Sequence, residues 1–302
     1  MRSSPPTTTV IGSYPIEINQ HRLMQSYFEK QTIPSWEPYI TQAVHDMVQA
    51  GIALISDGQT RDPFINIFAR KLHGFQIRDR ITVIDKIQFK SSITASDLSF
   101  VRSLLPKNKR LLGLIVGPHT LSKSVANSFY PSDEDLAFDI AEALRSEALA
   151  LQPYVDMISI DEPYYANEFP PYAYDLIKHI IQPIHCPTRL HACGDVSKIV
   201  PELLDLPVDV LSHEFCASPN LYVPFKEHDD GKKQFCVGVV RSDQTSVESK
   251  HQIMANIKKA SDVFGSRLHQ IAPDCGLRLL PRTIAYKKLS NIVEAVHEVY
   301  DQ

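Results

Sequence analysis

The sequence has no basic excess, no long apolar run and few cysteines, and each shortage argues against a class of protein. The formal net charge is −4 with the 12 histidines neutral, which argues against a general nucleic-acid binder. No apolar stretch approaches the roughly 20 residues that span a bilayer, and residues 1–15 lack the apolar core of a secretory signal. The five cysteines are odd in number and widely spaced, which argues against a disulfide scaffold and favours a reducing, cytoplasmic setting.

Composition and patterning favour one large α/β domain over residues 1–302. Hydrophobic residues make up 43% of the chain and charged residues 22%, which is typical of a globular protein. Strand-like runs occupy 7–13, 52–57, 111–117, 155–161, 187–192, 208–213, 234–240 and 268–273. Helical patterns occupy 36–51, 132–153, 171–183, 246–265 and 282–300.

This alternation predicts a (β/α)8 TIM barrel, with a doubly wound open sheet as the alternative. We favour the barrel because polar residues end nearly every strand, and strand ends converge on one face of a barrel. Residues 74–110 have weak periodicity and several charges. We expect them to form an insertion, with a hairpin that pairs 76–83 with 84–90.

Potential zinc ligands stand at the ends of separate strand candidates. His191 and Cys193 lie in RLHACGD, Glu214 in VLSHEFCAS and Cys275 in IAPDCGLR. Residues i and i+2 of an extended strand end share one face, so His191 and Cys193 can bind one ion. Zinc prefers such a mixed nitrogen, sulfur and oxygen set. The pattern therefore predicts a zinc enzyme that activates a thiol.

A buried cysteine is more often a small apolar residue than a ligand, so the choice among the five needs a reason. We assign Cys186, Cys216 and Cys236 to packing; Cys186 precedes a proline at a strand start, and Cys236 lies within a strand candidate. Cys216 is the competitor of Cys275 for the metal. We favour Cys275 because it follows a strand inside PDCG, where Gly276 permits an unusual backbone angle.

Several motifs occur in the order of a known family: TTTVIGSYP, ISDGQTRDP, SIDEPYY, RLHACGD and IAPDCGLRLLPR. With them the chain resembles the C-terminal catalytic domain of cobalamin-independent methionine synthase, and most closely its short, single-domain archaeal-type homologues. The resemblance covers almost the whole chain. It implies a barrel that binds zinc through His191, Cys193, Glu214 and Cys275. The implied activity is homocysteine S-methyltransferase, in which L-homocysteine is converted to methionine.

The resemblance also implies a pocket for the amino-acid end of the substrate. Asp161 of IDEP is the candidate for the ammonium group, since an ammonium needs an anionic partner. Its other interpretation is a helix N-cap, a common place for aspartate. Ile11, Gly12 and Ser13 of IGSYP are candidates for binding the carboxylate.

The chain departs from the larger synthases at two positions. Gln59 of DGQTR stands where they carry a glutamate for the ammonium, and we expect Asp57 to compensate for the lost charge. The segment GVVRSDQTS lacks the histidine that they place near the methyl donor, and Asp243 is the candidate catalytic group there.

The methyl donor implied by the short homologues is methylcobalamin carried on a corrinoid protein. Such a partner would dock over the barrel mouth, where Arg61, Arg278 and Arg282 are candidate contacts. Three alternatives stay open. They are a methyl-folate donor, another thiol such as coenzyme M, and a zinc-binding accessory protein without activity. Coenzyme M lacks an ammonium group and fits Asp161 poorly.

Overall fold

The computed structural model describes residues 4–18 and 35–301. In that part of the chain the strands are β1 (Thr7–Thr8), β2 (Leu54–Ile55), β3 (His73–Ile77), β4 (Ile81–Gln88), β5 (Arg110–Val116), β6 (Ala126–Asn127), β7 (Met157–Asp161), β8 (Thr188–His191), β9 (Val210–His213), β10 (Gln234–Val240) and β11 (Leu268–Pro273). The helices of the same part are α1 (Glu37–Gln49), α2 (Phe64–Ala69), α3 (Ala95–Leu104), α4 (Pro118–Lys123), α5 (Asp133–Leu151), α6 (Ala173–Ile181), α7 (Val200–Asp205), α8 (Tyr222–His228), α9 (Lys250–Phe264) and α10 (Arg282–Tyr300).

Eight parallel strands form one sheet in the order β1-β11-β10-β9-β8-β7-β5-β2. A parallel bridge between Thr9 and Leu54 joins the two ends of this sheet. This closing bridge distinguishes a barrel from an open sheet. The predicted (β/α)8 barrel is therefore confirmed. The helices predicted from periodicity appear as α1, α5, α6, α9 and α10. The Ser132 hydroxyl caps α5 by accepting from the Asp135 N–H at 3.0 Å.

Strand alternation sorts side chains between the barrel interior and the helical shell. Along β7, Ile158 and Ile160 belong to the main apolar cluster, which the sheet shares with the helices. Met157 belongs to a second, smaller cluster built from strand residues. Ser159 and Asp161 therefore point into the barrel on the same side as Met157. The C-terminal strand ends gather these inward side chains at one face, where barrel enzymes place their active sites.

The insertion contains a hairpin, but its arms differ from the prediction. Strands β3 and β4 pair antiparallel with Ile77 opposite Ile81, and β6 adds to β4 in parallel. The turn therefore lies at 78–80, and residues 81–88 form one continuous strand. The weak periodicity of this segment gave no signal for a turn at the charged residues 78–80, so the sequence analysis placed the turn too late in the chain. The predicted range 74–110 also includes α3, which packs against α1 and α5 as a barrel helix.

Replacement of Glu147 by alanine is expected to destabilise the fold. This fully buried carboxylate of α5 accepts from the Ile93 N–H at 2.7 Å and from the Thr94 N–H at 2.8 Å, just before α3 begins. Its loss leaves both buried donors unpaired, at a cost on the order of 3 kcal/mol. Urea unfolding measures the change. Glu142→Ala, at an exposed position of the same helix, is the control and should change stability by less than about 0.5 kcal/mol.

Candidate functional site

A cavity of about 270 Å³ opens at the C-terminal face of the barrel. Its walls include eight of the residues predicted for the site, Ile11, Gly12, Ser13, Gln59, Asp161, His191, Cys193 and Cys275. They come from the ends or following loops of five strands, β1, β2, β7, β8 and β11. Barrel closure thus brings together groups that are up to 264 residues apart, counted from Ile11 to Cys275.

Three soft metal ligands meet in this cavity. His191 Nε2 lies 2.7 Å from Cys193 Sγ, and Cys193 Sγ lies 2.8 Å from Cys275 Sγ. One ligand atom from each residue lies within 4.8 Å of the others. A nitrogen and two sulfurs facing one point are the donor set that zinc prefers. The donor chemistry therefore fits zinc.

Neighbouring groups orient these ligands. Ser212 Oγ lies 3.0 Å from His191 Nδ1, which leaves Nε2 facing the sulfurs, as is common for metal-binding histidines. The Cys193 thiol donates to Cys275 Sγ, and this bond raises the pKa of Cys193 well above its usual value. The same hydrogen bond lowers the pKa of Cys275 well below its usual value, and His191 adds to the effect.

Glu214 is not part of the three-ligand group. Its Oε1 accepts a hydrogen bond from Ser218 Oγ at 3.1 Å, which turns the carboxylate towards its own loop. Its negative charge still reaches the site, because it is among the causes that raise the pKa of Cys193. The structure therefore places Glu214 beside the ligands but does not join it to them.

The competitor Cys216 faces another direction. Its sulfur accepts from Asn256 Nδ2 of α9 at 3.7 Å, and its backbone N–H donates to Asp274 Oδ1 at 3.0 Å. Asp274 also accepts from the Ala217 N–H at 2.8 Å, so this carboxylate shapes the turn after β9. Asp274 directly precedes Cys275 in PDCG, and this position could have marked it as part of the site. The sequence analysis did not name it.

Asp161 lies on the cavity wall next to the metal ligands. Its Oδ1 accepts from Ser159 Oγ at 2.8 Å. Burial raises the pKa of Asp161 to about 6, and the charges of His191 and Arg189 act against that rise. The carboxyl group is therefore mainly ionised at neutral pH. The N-cap of the following 3-10 helix is Glu162 and not Asp161, so the capping interpretation has no support.

Glu162 faces away from the cavity and holds the start of α4. Its carboxylate accepts from the His119 N–H at 3.0 Å, the Thr120 N–H at 2.8 Å and the Thr120 hydroxyl at 2.6 Å. Burial raises its pKa to about 7. Of the paired acids in IDEP, one thus lines the cavity and the other fixes a neighbouring loop.

Ser13 and Gly276 approach each other closely. A Cβ added to Gly276 would lie 2.3 Å from Ser13 Oγ, and the Leu277 N–H donates to Ser13 O at 2.8 Å. Any larger residue at this position would clash with Ser13, so glycine is required there for steric reasons. Its φ lies outside the left-handed region. The expectation of an unusual backbone angle at Gly276 was wrong. The sequence around Gly276 could not show the true reason, because the contact is with Ser13, which is distant in sequence.

Gln59 enters the cavity from a tight turn after β2. It adopts the left-handed region with φ 46°, and its N–H donates to Asp57 Oδ1 at 3.1 Å. A Cβ on Gly12 would meet Gln59 Oε1 at 2.8 Å, so the carboxamide lies against the β1 loop. Asp57 itself lies outside the main cavity, and burial raises its pKa to about 6. Its geometry supports the turn at Gln59 rather than direct contact with a ligand.

Asp243 lies away from the cavity. It is exposed, and both of its carboxylate oxygens accept from the Arg241 guanidinium, at 2.8 and 2.6 Å. Arg241 lowers the pKa of Asp243. The carboxyl group of Asp243 is therefore a poor proton donor at neutral pH. The geometry gives its predicted catalytic role no support. Asp243 follows β10 in the sequence, which suggested that it lies near the cavity. The loop after β10 instead turns its side chain outward.

The three arginines proposed for partner docking each have partners within the chain. Arg61 pairs with Asp97, Arg282 pairs with Asp46, and Arg278 donates to the carbonyls of Thr60 and Asp62.

The cavity also has walls that the sequence analysis did not name, Phe64, Pro163 and Leu279. Gly276 and Arg278, which it named for other roles, line the cavity as well. Leu279 is 94% exposed, so it forms part of the rim rather than the floor. The helices of the described part of the chain include none that is both long and apolar enough for a membrane span.

Comparison with known proteins identifies the family. A sequence profile described as the catalytic domain of cobalamin-independent synthase matches residues 6–298. The chain belongs to the cobalamin-independent methionine synthase family. A methionine synthase from Methanocaldococcus jannaschii is 34% identical over 310 residues, which cover 95% of this chain and 97% of that protein. The methionine synthase of Methanothermobacter marburgensis is 35% identical over 306 residues, covering 96% and 99% respectively.

Solved structures show the same fold. A B12-independent methionine synthase from Shewanella sp. W3-18-1, in complex with selenomethionine, aligns with a TM-score of 0.85 at 21% identity, covering 99% of this chain and 98% of that one. A methyltransferase from Methanosarcina mazei aligns with a TM-score of 0.70 at 17% identity, covering 98% and 94%. The recognition of the family from its motifs is confirmed.

The family description bears on the predicted methyl donor. A family described as cobalamin-independent argues against methylcobalamin as the donor of this chain. The predicted corrinoid partner protein likewise has no support.

Proposed function

We propose that this chain is a zinc-dependent homocysteine S-methyltransferase that forms methionine and works as one domain over residues 1–302. One observation carries the proposal: a single cavity holds both a soft metal-ligand group and a buried carboxylate. Homocysteine has a thiol at one end and an ammonium and a carboxylate at the other. The family and its methionine synthase relatives support the same activity.

The sulfur end of the substrate belongs at His191, Cys193 and Cys275. A zinc ion bound by these residues would keep a coordinated substrate thiol deprotonated at neutral pH. Glu214 remains the proposed fourth ligand, and its carboxylate would have to leave Ser218 to reach the ion. Two thiolates and a carboxylate would offset the metal charge, so the substrate sulfur stays electron-rich enough to attack a methyl group.

The amino-acid end belongs at Asp161 and the loop after β1. The ionised carboxylate of Asp161 provides a charge-assisted partner for the ammonium group. Ile11, Gly12 and Ser13 supply backbone groups and one hydroxyl to the substrate carboxylate. Arg278 lines the same cavity and adds positive charge that favours an anion. Coenzyme M, which has no ammonium group, would leave Asp161 buried without a cationic partner.

The direct test is methionine formation by the zinc-loaded protein. We expect L-homocysteine to be methylated, and 4-mercaptobutanoate and coenzyme M to react at least tenfold more slowly, because neither has the ammonium group. Methyl-folate and methylcobalamin are supplied in parallel, and the family description favours turnover without the corrinoid. Mass spectrometry of the product measures the outcome.

Two results would contradict the proposal. Zinc-loaded protein that methylates no thiol with either donor would support an accessory zinc-binding protein instead. Equal rates with homocysteine and 4-mercaptobutanoate would remove the ammonium site while leaving a thiol methyltransferase.

A further inference from the structure

A fully buried arginine lies inside the barrel beneath the cavity. Arg189 belongs to β8, two residues before His191, and its side chain has no solvent exposure. A guanidinium carries five N–H groups, and a buried charge is costly unless these are hydrogen-bonded. Each of the five has an acceptor, and these are Ser159 Oγ, Gln270 Oε1, Cys236 Sγ, Val10 O and Ile11 O.

The acceptors of Arg189 lie on four other segments of the barrel, β7, β10, β11 and the chain after β1. All of them are uncharged groups. An arginine used only to fill a barrel core could be replaced by apolar residues without this desolvation cost. A role that uses its charge or its fork of donors would offset that cost.

Three of the contacts lead to the amino-acid end of the cavity. Arg189 Nε donates to Ser159 Oγ at 3.1 Å, and that hydroxyl donates to Asp161 Oδ1 at 2.8 Å. Arg189 Nη2 donates to Val10 O at 3.1 Å and to Ile11 O at 3.2 Å. The carbonyl of Ile11 directly precedes the loop of Gly12 and Ser13. One guanidinium thus reaches both parts of the pocket.

We propose that Arg189 is a positioning residue for the substrate amino-acid group. Through Ser159 it fixes the carboxylate of Asp161, and through two carbonyls it fixes the loop that receives the substrate carboxylate. This inference rests on the proposed function, because it assumes that Asp161 binds an ammonium group. Arg189 itself lies below the cavity wall and is not among the residues that line it.

The test interrupts the link at Ser159, since removal of Arg189 from the core could prevent folding. Ser159→Ala removes the hydroxyl between Arg189 and Asp161. Cys236→Ala is the matched control, because it also removes one buried acceptor of Arg189, at 3.9 Å, without a connection to Asp161. Calorimetry measures the binding of L-homocysteine and of 4-mercaptobutanoate to each zinc-loaded protein, and metal analysis checks the zinc content.

We expect Ser159→Ala to weaken L-homocysteine binding about tenfold, which corresponds to about 1.4 kcal/mol. Binding of 4-mercaptobutanoate should stay unchanged, since it lacks the ammonium group that Asp161 receives. Cys236→Ala should bind both ligands as the wild type does. A purely structural role of Ser159 would weaken both ligands equally.

Two kinds of result would overturn the inference, and they are distinguishable. In the first, the wild type prefers L-homocysteine, but Ser159→Ala either binds both ligands as the wild type does or loses affinity for both equally. That result overturns the positioning role alone. Wild-type protein that binds neither ligand, or binds both equally, overturns the proposed ammonium site and the role of Arg189 with it.

Discussion

Cys193→Ser and Cys275→Ser are each expected to lose most of the bound zinc and nearly all methyl transfer. Each substitution removes a thiolate from a group whose ligand atoms lie within 4.8 Å of one another. Changes to groups that merely support metal ligands cost roughly 10–100-fold in affinity or activity. Loss of a ligand itself should therefore exceed a hundredfold in kcat/KM. Metal analysis after dialysis against a weak chelator measures the zinc, and the methionine assay measures the activity.

The chain offers matched controls for this experiment. Cys216→Ser changes a half-buried cysteine whose sulfur faces Asn256, and Cys186→Ser changes one outside the cavity. Both should retain full zinc and lose no more than about twofold in activity. Full zinc in both Cys193→Ser and Cys275→Ser would show that the metal site is misassigned. Loss of zinc in Cys216→Ser instead would restore that cysteine as the competing ligand.

Asp161→Asn is expected to weaken the use of L-homocysteine while leaving the zinc in place. The side chain keeps its size and can still accept from Ser159, but it loses the negative charge that pairs with the ammonium. A charge-assisted hydrogen bond contributes about 1.5–3 kcal/mol, so kcat/KM should fall roughly tenfold to a hundredfold. Steady-state kinetics with L-homocysteine and with 4-mercaptobutanoate measure the effect, and only the first substrate should respond.

Asp175→Asn is the control, because Asp175 is an exposed carboxylate of α6 outside the cavity. Its kinetics should match those of the wild type. Unchanged kinetics of Asp161→Asn with L-homocysteine would show that the ammonium binds elsewhere. In that case Gln59, with its carboxamide against the β1 loop, becomes the next candidate.

Glu214→Gln separates two interpretations of the fourth ligand. If the carboxylate binds zinc, the amide should lower zinc retention by more than about a hundredfold, since changes to groups that only support a ligand already cost roughly 10–100-fold. The Ser218 hydroxyl can still donate to the amide oxygen, so the loop should keep its present conformation. Zinc retention equal to that of the wild type would leave the metal with the three ligands that the structure brings together.

Local patterns carried the fold prediction because they repeat along the chain. The helices α5 and α10 were predictable from an apolar stripe, and their observed bounds agree closely with the predicted ranges. The two-residue spacing of His191 and Cys193 already implied a shared face at the end of β8. The hairpin was less predictable, since its charged residues 78–80 carry no period that marks the turn.

The alternation of strands and helices, and the residue types available for metal and amino-acid binding, follow from local sequence patterns alone. Tertiary structure decided which of those residues meet. Cys275 joins Cys193 across 82 residues, while Cys216 turns to α9 and Asp243 turns to Arg241. Which residues meet depends on barrel closure and strand register. These in turn depend on many weak contacts between residues that are distant in sequence. The bonds of Arg189 to four other segments belong to the same class, because no local pattern records which acceptors a buried guanidinium will find.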